Sequence, residues 1–166
     1  MGWLRRGDER NVYAGLRHQM LTLDAASLHL APSAEHPHVY GGLMEMGMGG
    51  DVATLVVVAD GTTSFYFSTG GGIIGAGFHE PVKGPSMALL AAIERHVDEL
   101  GADPTGETPL AGMIHLRALT FDRGRLLAAG PEADFAEKRN PLWDVFFAGH
   151  ALIAAIRKLP AVQKAS

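Results

Sequence analysis

The chain has 166 residues, with 14 basic and 18 acidic side chains that give a formal charge of -4 at neutral pH. That length suits one domain with a sizeable hydrophobic core, and the mild acidity argues against a general nucleic-acid binder, which needs a basic stripe. Cysteine is absent, so disulfides, thiolate catalysis and Cys-ligated zinc are excluded.

In chain order, residues 1–9 read as a loose arm carrying Trp3, and the whole of 1–166 as a single domain. Arg5 and Arg6 are followed by Asp8 and Glu9 rather than an apolar stretch, so no secretory leader is expected. From Glu9 or Arg10 to Leu23, the spacing of Val12, Leu16, Met20 and Leu23 predicts an amphipathic helix. Pro32 and Pro37 keep the following segment irregular. Val39–Met48 is a strand candidate interrupted by glycines. Asp51–Ser68 then forms the centre of the pattern: an apolar run over 52–59, the turn pair Asp60-Gly61, and a second run over 62–69 in which Phe65 and Phe67 alternate with Ser64, Tyr66 and Ser68. Twelve of the 21 glycines lie between Gly41 and Gly84, which implies bends or close backbone approaches there.

Pro85 suits the first turn of a second helix. Met87, Leu90, Ile93, Val97 and Leu100 form its stripe, and Gly101 is placed to terminate it. Met113–Phe121 and Arg125–Ala129 read as a second hairpin around Asp122-Arg123-Gly124. Glu132–Arg139 is a turn of helix or an irregular loop. A last helix is expected from Pro141 to Leu159, with Asn140 as its N-cap. The order is therefore α-β-β-β-α-β-β-α, an α+β domain built on a five-stranded antiparallel sheet with flanking helices.

That order, and above all the stretch VATLVVVADGTTSFYFSTGG followed by PSMALLAAIERHVDEL, resembles the profilin-like scaffold of roadblock and longin domains. The resemblance spans about Val52–Leu159 and rests on element order and hydrophobic texture. It implies dimerisation or service as a platform for small GTPases or other regulatory partners, usually without catalysis. No individual residue role transfers.

Chemistry-bearing motifs are sparse. Gly70-Gly71-Gly72-Ile73-Ile74-Gly75 has G-x-G-x-x-G spacing after a strand, but the expected helix starts too late to receive a pyrophosphate. Thr69, Gly70, Gly71, Gly72 and His79 are therefore candidates for some other ligand-contacting loop, against the plainer reading of a structural bend. His36 and His38 offer two imidazoles, with His79, Glu80 or Glu45 as third ligands if the fold gathers them; solvated loop histidines are the simpler reading. No motif calls for a cofactor, and no nucleophile elbow exists. Trp143, Phe146 and Phe147 occupy adjacent sides of one helix and cannot all face the sheet. Trp143, Phe147 and His150 are thus interface candidates, unless the N-terminal helix covers them. Two readings stay open. One is a non-catalytic interaction or regulatory module, self-associating or binding a protein partner, cytoplasmic and without membrane insertion. The other is a small-ligand-binding protein or enzyme using loop 70–80.

Overall fold

In the computed structural model, which describes residues 6–163, the chain turns on the hairpin expected at Asp60-Gly61. Strands β1 (Val39–Met48), β2 (Asp51–Val58) and β3 (Thr63–Phe67) run antiparallel in succession. At the β2–β3 turn Gly61 takes a φ of 96° that a side chain would resist, and Asp60 Oδ1 accepts the Thr62 N–H at 2.9 Å. The second hairpin pairs β6 (Met113–Thr120) with β7 (Arg125–Pro131), and β6 docks beside β1.

Among the described residues the sheet has seven strands, not five. The additional strands are β4 (Gly72–Ile73) and β5 (Gly101–Ala102), each two residues long, at opposite edges of the order β4-β3-β2-β1-β6-β7-β5. Segments that short carry no alternation to read. Gly101 accordingly pairs with Leu127 instead of capping a helix.

Helix α1 (Arg6–Leu21) takes in the last residues assigned to the loose arm, whereas Trp3 lies outside the described residues. Helix α2 (Glu80–Arg95) starts before the expected position: Pro81 occupies its first turn and Pro85 lies inside it. A single 3-10 turn at Val97–Glu99 follows. Helix α3 (Glu132–Ala136) resolves the ambiguity over 132–139. Helix α4 (Trp143–Arg157) is the expected last long helix, and the short α5 (Pro160–Gln163) follows it. Helix α4 starts two residues later than Pro141, with Leu142 and not Asn140 at its N-cap position; Asn140 Oδ1 instead accepts the Leu142 N–H at 2.9 Å in the turn just ahead of the helix.

Strand alternation sorts the core into two layers. Val39, Met44, Leu55, Val57, Phe65, Ile114 and Leu116 face α2 and α4, and pack with Leu89, Leu90, Ile93, Val145, Leu152 and Ile156. Tyr40, Leu43, Val52, Val56, Val58, Tyr66 and Leu119 face the other way and meet Tyr13, Leu16 and Met20 of α1. The helices thus cover both faces of the sheet, α1 on one and α2 with α4 on the other. No helix among the described residues is long and apolar enough to cross a membrane.

Candidate functional site

Loop 68–79 is shaped by backbone demands. Gly70, Gly71 and Gly72 all have positive φ, at 102°, 83° and 137°. The turn closes on itself, with Gly70 N–H donating to Phe67 O at 3.0 Å and Phe67 N–H to Gly71 O at 3.2 Å. Thr69 and His79 are exposed. The far end of the loop, Gly75, Gly77 and Phe78, lines a groove of about 500 Å³ with Asp60, Lys83 and Met87. Thr69, Gly70, Gly71, Gly72 and His79 do not line that groove. The last glycine of the G-x-G-x-x-G spacing precedes a 3-10 turn at Ala76–Phe78, and α2 begins at Glu80, earlier than the sequence pattern implied but still separated from Gly75 by that turn.

The histidine pair is not gathered with further ligands. His36 lies in a short turn, its N–H donating to Ser33 Oγ at 3.0 Å, and the His38 N–H donates to Glu94 Oε1 at 2.7 Å. Among the described residues no group of three or more His, Asp or Glu side chains is arranged to hold a metal ion.

Helix α4 separates its aromatics as its periodicity demands. Phe146 is buried against Phe135, with ring centroids 5.6 Å apart. Trp143 and Phe147 stand outward at 37% and 42% exposure and meet edge to face at 6.1 Å. The Lys138 ammonium lies 4.5 Å from the Trp143 ring centroid, a cation–π contact. His150 packs edge-on against Phe146 at 4.4 Å, and its Nε2 is buried without a hydrogen-bond partner. Burial first, and then the charge of Arg157, hold its pKa below the ordinary imidazole value. Between Asp144 and Arg157 the helix has no formally charged acidic or basic side chain, although Phe147, Ala151 and Ala154 are exposed.

The sequence reading missed the main polar feature, an ionic network between α1 and the sheet. Register places Tyr66, Thr54, Glu45 and His115 in one cross-strand row, with Arg117 beside it. Glu45 and Arg117 are fully buried. Arg17 grips Glu45 with two bonds of 2.8 Å, Thr54 Oγ1 donates to Glu45 Oε2 at 2.7 Å, and the Tyr13 hydroxyl meets Thr54 Oγ1 at 2.8 Å. Arg117 bridges Glu45 to Asp103, donating to Asp103 Oδ2 at 2.8 Å. Arg125 donates to the same Asp103 oxygen at 2.6 Å and to Leu21 O at 3.2 Å. Paired charges that satisfy one another's hydrogen-bonding groups can be tolerated inside a protein; lone ones cannot.

Burial raises the Asp103 pKa, but the hydrogen bond and charge of Arg117, then Arg125 and the Gly106 N–H, outweigh that and leave it lowered. Burial, then Arg117, lowers the His115 pKa. The Tyr66 hydroxyl is buried with no hydrogen-bond partner among the described residues, and burial, followed by the Glu45 charge, drives its pKa up. A hint was visible in the sequence, since Glu45 sits between Met44 and Met46, and Arg117 between Leu116 and Ala118. Charges flanked by apolar strand neighbours point to the opposite face of the sheet. What covers that face was not legible.

The chain matches no protein-family model, no curated protein and no solved structure.

Proposed function

We propose that the protein is a non-catalytic interaction module that self-associates through the outer face of α4. The observation that carries this reading is the placement of α1. It packs against the opposite face of the sheet, so it does not cover Trp143 and Phe147, which remain exposed at 37% and 42%. Exposed aromatics beside small residues suit an interface core. Ala151 and Ala154 on the same face allow a second helix to approach closely.

A second copy of the chain is the occupant that fits best. Two α4 helices packed antiparallel about a two-fold axis near His150 would set Phe147 of each against the small Ala151 and Ala154 of the other, an isologous contact that one exposed face can supply to itself. The resemblance to profilin-like scaffolds is proposed on the same footing, supported by α2 and α4 lying side by side on one face of an antiparallel sheet. The other reading, a ligand held by Thr69, Gly70, Gly71, Gly72 and His79, has weaker support, because the first four lie in a surface turn, His79 stands apart at the start of α2, and none of the five lines the neighbouring groove.

Size-exclusion chromatography with light scattering tests the proposal. The wild type is expected at a two-chain mass, and Trp143→Glu with Phe147→Glu at a one-chain mass. A wild-type mass of one chain across the accessible concentration range, or a two-chain mass persisting in the double variant, removes α4 as the interface.

A further inference from the structure

On the α1 side of the sheet, a cleft of about 440 Å³ opens between α1 and the segment leading into β6. Arg17, His18, Thr105, Thr108 and Arg125 contribute to its lining, and no carboxylate side chain does. Two of those residues, Arg17 and Arg125, belong to the ionic network, whose composition is unbalanced: among the described residues the guanidiniums of Arg17, Arg117 and Arg125 pair only with the carboxylates of Glu45 and Asp103. Within that network, one positive charge is left without a counter-charge in a largely desolvated setting.

His115, the neighbouring imidazole, adds nothing to offset this surplus and is itself held toward its neutral form. The donors are also only partly used. Arg17 spends Nε and Nη2 on Glu45 and on Glu107 O, and no described residue accepts from its Nη1. Guanidinium forks match the paired oxygens of a carboxylate or phosphate, and Thr105 and Thr108, which also line the cleft, carry hydroxyls able to donate. The cleft's volume exceeds that of a bare ion and falls within the usual range for small-molecule sites, roughly 300–1,000 Å³.

We propose that this cleft binds a small molecule through an oxyanion group, phosphate or carboxylate, which completes the charge balance of the arginine network. The site lies on the opposite face of the sheet from α4 and does not depend on the self-association reading.

Thermal melts in sodium phosphate, sodium succinate and sodium chloride at matched ionic strength test it. A ligand present at about ten times its Kd should raise the midpoint by about 3–6 °C over chloride for a chain of this size. Phosphate also stabilises proteins by exclusion from their surface, so the expected response must saturate. It must also shrink in Thr105→Val with Thr108→Val, and separately in His18→Ala, variants that leave the buried ion pairs in place. A saturable response to phosphate points to a phosphoryl ligand, and one to succinate points to a carboxylate. If neither anion departs from chloride, or if all variants respond as fully as the wild type, the site is refuted.

Discussion

Arg117 illustrates how unequal the buried polar groups are. Its side chain is fully buried and spans Glu45 and Asp103. Arg117→Ala would empty a large buried volume and strip hydrogen bonds from Glu45 and Asp103, although each keeps one other arginine, and should cost about 2–5 kcal/mol. Tyr66→Phe removes a hydroxyl that has no hydrogen-bond partner among the described residues, and should be neutral or stabilising by up to about 1 kcal/mol. Urea denaturation of the two variants checks both signs. If Arg117→Ala proved as mild as Tyr66→Phe, the bridge between Glu45 and Asp103 would not be contributing to stability.

Two of the partly buried histidines set a pH dependence. His115 and His150 both have folded-state pKa values below the ordinary 6.5, so the folded state binds fewer protons than the unfolded one as each titrates. Their stabilising contribution is complete above that ordinary value and is lost as pH falls through it toward the depressed folded values. Denaturation midpoints should therefore drop on acidification from pH 7.5 to about pH 5. His150→Leu should flatten part of that slope, and an unchanged slope would reassign it to other groups.

At the scale of elements, glycines make opposite predictions according to their surroundings. A Cβ on Gly77 would lie 1.9 Å from Gly61 O, a backbone atom of the β2–β3 turn. Gly77→Ala must push the loop off that turn and should destabilise by about 1–3 kcal/mol. Gly15 lies within α1, and a Cβ added there would meet nothing within 4 Å, so Gly15→Ala should stabilise by about 0.5–1 kcal/mol through helix propensity. Paired thermal melts distinguish the two.

Long periodic elements were legible in the sequence for the same local reasons. Val52, Val56 and Val58 against Leu55 and Val57 announce a strand buried on both faces, and Leu90, Ile93 and Val97 announce a helix stripe. The start of α2 was misjudged because Pro81 and Pro85 both suit a first turn. Only tertiary packing selects between them, and Val82 is buried in the core. The edge strands depend entirely on partners, β4 on β3 and β5 on β7, and so leave no local trace.

For the molecule as a whole, the sheet separates two chemistries. The α2–α4 side buries an apolar core with a Thr63–Ser86 hydroxyl pair and keeps its Arg95, His96 and Asp144 ion pairs at the rim, whereas the α1 side combines apolar packing with a buried ion-pair network. Which helix covers which face is a long-range property that residue spacing cannot encode, and it decides whether Trp143 and Phe147 are covered. The same applies to the anion cleft, whose residues come from segments as distant as Arg17 and Arg125.

The sheet margins bear on how the protein behaves when crowded. Its long, valine-rich strand β2 has β1 and β3 on either side, and the outermost strands run for only two residues each. An incoming chain seeking to extend the ladder would meet very little backbone in register, and glycine in both of those outer strands. Concentrated native protein should therefore not nucleate amyloid, and should leave thioflavin T fluorescence flat over prolonged incubation.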